Sequence, residues 1–180
     1  CGSGIVDAVG MMLDAKILDY KGKLITQEEA LDKGFNIEIV NRLRKGAQGN
    51  EFVIAWRNER EDIVITQKDI RQIQLAKGAI FAGALVLLEC LGAEISEVCE
   101  ILLAGAFGSN INIKSALRIG LIPDVDENQI YSLGNAAGAG ACMALISEDV
   151  KREASMLAIE ALHVELALYP SFEKKFLEGM

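Results

Sequence analysis

The feature that most constrains this chain is a short apolar strand running straight into a glycine turn. Glu100–Ala104 carries Ile101, Leu102 and Leu103 in succession and reads as a buried strand. It enters Gly105-Ala106-Phe107-Gly108-Ser109-Asn110, read here as a loop, and Ile113–Ile119 follows as a short helix stopped by Gly120. A second strand is expected at Gln129–Leu133, and Gly134-Asn135 leads from it into a small-residue helix, Ala136–Ser147. Strands that alternate with helices point to an α/β fold with a mixed sheet flanked by helices.

The first half is less regular. Ile5, Ala8, Val9, Met12, Leu13 and Ile17 recur at helical spacing from a start near Ser3. Lys21-Gly22-Lys23 is a turn, Thr26-Gln27-Glu28-Glu29 is a capping box with a helix to about Lys33, and Ile37–Leu43 is a further short helix. Arg44–Asn50 reads as a basic loop. Glu51–Arg57 and Asp62–Thr66 read as the strands of a hairpin that turns at Asn58–Glu61. Thr66-Gln67-Lys68-Asp69 is a second capping box, and it opens a long helix from Gln67 to Leu91, stopped by Gly92. Residues 20–66 are more polar than their flanks and are expected to form a smaller lobe or insertion within one domain fragment, 1–180. Near the end, Val150, Ala154, Leu157, Ala158, Ala161 and Leu162 make Asp149–Leu162 amphipathic. Val164–Leu168 reads as a strand, and Pro170-Ser171 starts a last helix.

Composition narrows the function classes. A net charge of -8 argues against nucleic acid as a partner, because phosphate backbones need a basic surface. The longest apolar runs, Gly78–Leu88 and Leu133–Ile146, are shorter than the roughly 18–20 residues of a membrane span. No segment has the layout of a signal peptide, so the expected setting is the cytoplasm. Cys1, Cys90, Cys99 and Cys142 are scattered without a C-x-x-C, which argues against a metal or iron–sulfur site within this chain. His163 is the sole histidine and can complete neither a triad nor a metal site. The chain begins inside a glycine motif, Cys1-Gly2-Ser3-Gly4, with no strand leading into it. It is therefore expected to be part of a longer protein, with the N-terminal part of its domain absent.

Four segments are candidates for binding. The turn Gly105-Ala106-Phe107-Gly108-Ser109 is either a backbone cradle at the carboxyl edge of a sheet or simply a tight strand-to-helix connection. Lys77 falls on the stripe formed by Ile70, Ile73, Ile80, Ala84, Leu87 and Leu91, with Gln74 on its flank. It either faces a cleft or snorkels to a partner. Gly134 and Asn135 open a helix of small residues, suited to close packing or to a hinge between lobes. Gly2, Ser3 and Gly4 would present helix N–H groups to a phosphate, although Asp7 stands where a dinucleotide fingerprint has its third glycine. No G-x-x-x-x-G-K-[ST] occurs, so this is not a P-loop protein.

Taken in order, these pieces resemble one family. Leu102-Leu103-Ala104-Gly105-Ala106-Phe107-Gly108-Ser109 looks like the adenosine motif of the actin, sugar-kinase and heat-shock-chaperone ATPases, which share a ribonuclease-H-like fold. With Cys1-Gly2-Ser3-Gly4-Ile5-Val6-Asp7, Ile65–Ile70, Ala76–Gly83, Ile119–Asp124 and Gly134-Asn135, the pattern is similar to the C-terminal ATPase domain of the reductive activators of corrinoid proteins. The resemblance implies ATP with Mg2+ as ligand and a corrinoid protein of a methyl-transfer system as partner. It also implies a [2Fe–2S] domain, absent from this chain, that supplies an electron for cobalt(II)-to-cobalt(I) reduction. Gly105, Ala106, Phe107 and Gly108 would then bind adenosine, Gln74 and Lys77 would face the base or ribose, and Gly134 and Asn135 would sit at the hinge. The family commonly has glycine where this chain has Ala106. The two D-x-G-T phosphate loops of the superfamily do not occur here, so no catalytic residue is assigned and little hydrolysis by this chain alone is expected. Two other readings remain: a non-catalytic docking or dimerisation module, whose small-residue helix and acidic surface would dock a corrinoid protein or a second copy, or half of a sugar- or acyl-kinase-like enzyme.

Overall fold

The structure is a computed structural model that describes residues 2–180; Cys1 of the first glycine motif lies outside the described residues. Helix α1 (Gly2–Asp14) buries Val6, Val9 and Met12, three to four residues apart on one face. It ends in a hydrogen-bonded reversal in which Ile17 N–H reaches back to Met12 O at 3.0 Å. Lys16 sits in the middle of that reversal with φ 58°, the left-handed position that helix ends normally give to glycine. The chain then folds over a Leu18–Leu24 bridge and enters α2 (Gln27–Asp32) and α3 (Ile37–Arg42). The capping box is formed: Glu29 N–H donates to the Thr26 hydroxyl, and Thr26 N–H donates to the Glu29 carboxylate.

Strands β1 (Leu43–Gly46), β2 (Gly49–Ala55) and β3 (Ile63–Thr66) form an antiparallel sheet in the order β1-β2-β3. The basic loop expected at 44–50 is therefore corrected to a strand and a tight turn. Arg44 is what the composition hid, since in the sheet its guanidinium pairs with Glu51 at 2.7 Å and Asp62 at 2.8 Å. Helix α4 (Gln67–Leu91) starts at the second capping box, with Asp69 N–H on the Thr66 hydroxyl, and Gly92 stops it at φ 66°. Gln67 also pins the 19–24 turn, accepting from Leu24 N–H at 2.8 Å and donating to Gly22 O at 2.6 Å.

The second sheet is parallel: β4 (Ile101–Ala104) lies beside β5 (Ile130–Gly134). Between them run α5 (Gly105–Asn110) and α6 (Ile113–Arg118). The 105–110 segment is a helix, not the loop its glycines suggested. Gly105 makes the change of direction at φ 86°, and Gly108 lets the helix lie within 3.0–3.2 Å of where a Cβ would meet Leu103. The small-residue helix α7 (Ala136–Ile146) and the amphipathic α8 (Glu148–Glu160) follow, and then α9 (Phe172–Gly179). The strand expected at Val164–Leu168 is corrected: 166–168 is a single 3-10 turn. The segment pairs with no strand of either sheet; its N–H groups are used locally instead, Leu168 N–H on Glu165 O and Tyr169 N–H on Leu166 O, both at 3.1 Å.

The core joins α1, α4, α6 and β5 to the first half of the chain, through Leu24, Ile25, Val40, Leu43, Ile65, Ile70, Ala116, Ile119 and Ile130. Helix α4 buries a different face from the one its large residues suggest. Ile70, Gln74, Gly78, Ala82, Gly83 and Val86 are inside, whereas Ile80, Leu87 and Leu91 are exposed. The reason is α9. A Cβ on Gly179 would stand 3.1 Å from Gly78 Cα, and one on Gly78 would stand 2.9 Å from Phe176 O. Backbones cross that closely only on a face of small residues. By length and apolar content α4 could also cross a membrane. In this fold it is instead a strut joining β3 to β4 and carrying α9.

Candidate functional site

The carboxyl edge of the parallel sheet gathers three of the four sequence candidates. Ala104 pairs with Gly134 across a register shift that follows Leu103, which sets the two turns side by side. Gly105 at φ 86° and Gly134 at φ 64° both use the left-handed conformation. At both, a Cβ would meet nothing within 4 Å, so neither turn is plugged by its surroundings. Each turn starts a helix, α5 and α7, whose first N–H groups have no helical partner of their own. Asn135 caps α7 by accepting from Gly138 N–H at 3.0 Å. Ser132 hydroxyl donates to Gly108 O at 3.3 Å and ties β5 to α5.

The start of α1 joins the same edge, since a Cβ on Gly2 would lie 3.2 Å from the Phe107 ring. Phe107 is about half exposed, Ala106 and Ser109 are exposed, and Gly108 is buried. Ser109 hydroxyl donates to Gly105 O at 2.8 Å, and Asn110 amide donates to Ala106 O at 2.8 Å, so these side chains brace α5 on itself. Five residues along α1 from Gly2, Asp7 Oδ1 is buried without a hydrogen-bond partner. In the sequence Asp7 stood out as a departure from a glycine fingerprint and as the end of the first family motif, with no binding role. Its acidic side chain on a helix that buries Val6 and Val9 is the signal that was available.

Gln74 and Lys77 belong elsewhere. They line a cavity of about 410 Å3 between α1, the 16–25 segment, α4 and Met180, and no residue of α5 lines it. Gln74 donates to Lys21 O at 3.2 Å and Met180 O at 3.3 Å, and accepts from Arg71 at 2.9 Å. Lys77 donates to Gly179 O at 2.7 Å. Burial pushes its ammonium below the usual lysine range.

Among the described residues, no group of three His, Cys, Asp or Glu side chains is placed to hold a metal ion. Cys90, Cys99 and Cys142 are free and exposed. The site at the sheet edge is therefore built from backbone: open glycine turns and helix starts, suited to an anionic or flat polar ligand lying against main chain.

Comparison with known proteins gives this geometry a family. Residues 1–180 match the family described as the C-terminal domain of RACo, the ASKHA domain. The corrinoid activation enzyme RamQ of Eubacterium limosum is 37% identical over 181 residues, which cover 98% of this chain and 30% of that protein. A solved structure of a reductive activator for a corrinoid, iron–sulfur protein superposes with a TM-score of 0.83 at 36% identity, covering 98% of this chain and 27% of that one. The chain thus spans less than a third of the length of either relative.

Proposed function

The chain belongs to the family of RACo C-terminal ASKHA domains, and on that premise we propose that it is the adenine-nucleotide-binding part of an ATP-dependent reductive activator of corrinoid proteins. The observation that carries this reading is the pairing of Ala104 with Gly134. It sets two unobstructed positive-φ glycine turns at one sheet edge, each at the start of a helix. A nucleoside fits such an edge because its ring can lie on backbone without meeting a Cβ, and helix N–H groups favour the negative charge that follows. Gly2, Ser3 and Gly4 bring a third helix start to the same place, and the buried Asp7 Oδ1 leaves an acceptor for a ligand hydroxyl or a water.

In this reading, nucleotide with Mg2+ supplies the free energy, and the reduction of cobalt(II) to cobalt(I) draws its electron from an iron–sulfur domain outside these 180 residues. This chain's residues bind and orient the nucleotide. The helices that start at Gly105 and Asn135 translate its presence into altered contacts with the corrinoid protein, because a ligand shifts a conformational balance only by its differential affinity for the two states. The test is calorimetric titration of the chain with ADP and ATP in the presence of Mg2+. We expect Kd at or below about 1 mM, a binding free energy of about −4 kcal/mol or better. Gly105→Val places a β-branched side chain at φ 86° and is expected to abolish binding while the circular dichroism of the fold persists. No adenine-nucleotide binding at millimolar concentration overturns the reading.

One observation favours a second role. Leu145 and Ile146 at the end of α7 are 85% and 87% exposed. Contiguous exposed apolar residues mark contact surfaces, and on this reading the chain self-associates through the α7–α8 hairpin. A monomer at high concentration in light scattering removes it.

A further inference from the structure

The cavity that holds Gln74 and Lys77 is not explained by nucleotide binding at the sheet edge. Its floor is apolar, built from Leu13, Ile70 and Ile73. Its polar lining is unbalanced. Lys16, Lys33 and Lys77 face it, and among the described residues none of the three forms an ion pair within 4.0 Å. The fourth cation, Arg118, is paired with Asp14. Asp19 is the sole carboxylate side chain lining the cavity, and it is engaged by the backbone N–H groups of Lys21 and Lys23 at 2.9 and 2.8 Å. Lys77 is answered only by a neutral carbonyl, Gly179 O.

Lys16 adds an independent observation. It is the one residue other than glycine with positive φ among those described, and it stands at a helix end where glycine would be unstrained. Lys16 thus stands in a strained backbone position at the mouth of a cavity whose lining carries four cationic side chains against one carboxylate side chain and the Met180 α-carboxylate.

We propose that this cavity is a second ligand site, distinct from the nucleotide edge, for a small amphipathic carboxylate: an apolar body on the Leu13–Ile70–Ile73 floor and one anionic head among Lys16, Lys33 and Lys77. A volume of about 410 Å3 is within the range of small-molecule sites. A single negative charge suits it better than a phosphate dianion, since each further charge brought onto an apolar floor must be desolvated.

The test titrates octanoate into the full 180-residue chain, with octan-1-ol and acetate as its two halves, followed through the Met180 methyl resonance. Octanoate is expected to saturate one site, and each half to bind at least tenfold more weakly. Lys16→Gly relieves the strained backbone, so it is expected to keep or raise the melting temperature while weakening octanoate roughly fivefold and leaving octan-1-ol unchanged. Three results overturn the proposal: no octanoate binding, octan-1-ol binding as tight as octanoate, or a Lys16→Gly variant that binds octanoate like the parent. Displacement of octanoate by ATP also overturns it, because the cavity would then be an arm of the nucleotide site. That last outcome leaves nucleotide binding standing, whereas failure of nucleotide to bind at all leaves the carboxylate site untouched.

Discussion

Helices α1 and α8 are both 13 residues long and both amphipathic in sequence, yet the fold treats them oppositely. Helix α1 buries Val6, Val9 and Met12 in the central core, together with Leu24, which is 0% exposed. Helix α8 buries nothing, and Leu157, in the middle of its apolar stripe, is 60% exposed. An apolar stripe states a need for a partner and does not supply one. Helix α1 finds α6 and α5 and shares a core with the 17–25 segment, while α8 meets chiefly α7, itself without a buried residue. The half of the molecule around α1 is held by burial; the α7–α8 hairpin is held by its own helical hydrogen bonds.

The contrast can be broken most forcefully at Leu24. Leu24→Ala is expected to lower stability by about 3 kcal/mol in chemical denaturation, the cost of a cavity in a packed core. A loss below about 1 kcal/mol would mean that the core is looser than its burial indicates. A second, smaller effect is expected at α9, which is held to α4 partly by Glu89. That carboxylate accepts from Lys175 and from the Ser171 hydroxyl, and these bonds hold its pKa below the usual glutamate value. The stability it contributes is complete above 4.5, its value without partners, and is lost as pH falls through the lower folded value. Protection of α9 amides, corrected for the intrinsic exchange rate at each pH, should fall in that acid window, and Glu89→Gln should remove the pH dependence without lowering protection in α1. The smallest effect is expected at Leu157. Leu157→Ser should change stability by no more than about 0.5 kcal/mol, as for any exposed site. A loss approaching that of Leu24→Ala would show the hairpin docked in solution, against a surface of its own chain or of a second copy.

What the sequence made legible was local. The capping boxes at Thr26 and Thr66, the stop at Gly92 and the N-cap at Asn135 each depend on residues a few positions apart, and all four are formed. The family resemblance rested on the same kind of signal, short motifs in order. Legibility failed where a distant element chose the outcome. No periodicity announces that Gly179 will lie on Gly78, yet that contact selects the small-residue face of α4 over Ile80, Leu87 and Leu91. The alternation in Val164–Leu168 was real, but the segment is not brought to a sheet edge and closes into a 3-10 turn instead. At the site, the glycines were visible and their adjacency was not, because the pairing of Ala104 with Gly134 joins residues thirty positions apart. Gln74 and Lys77 were visible as misfits on a helix face, while the C-terminal carbonyls that engage them were not.

Helix α4 has 25 residues without a break and is fastened at its start by a capping box against the antiparallel sheet. At 1.5 Å per residue it is a rod of ~37 Å, so a tilt of about 5° at Thr66 swings the far end by ~3 Å. That end delivers the chain to β4 and so to the glycine edge. A push on the small sheet would be felt, enlarged, at the glycine turns. Tight seating of a ligand there would in turn hold the small sheet still.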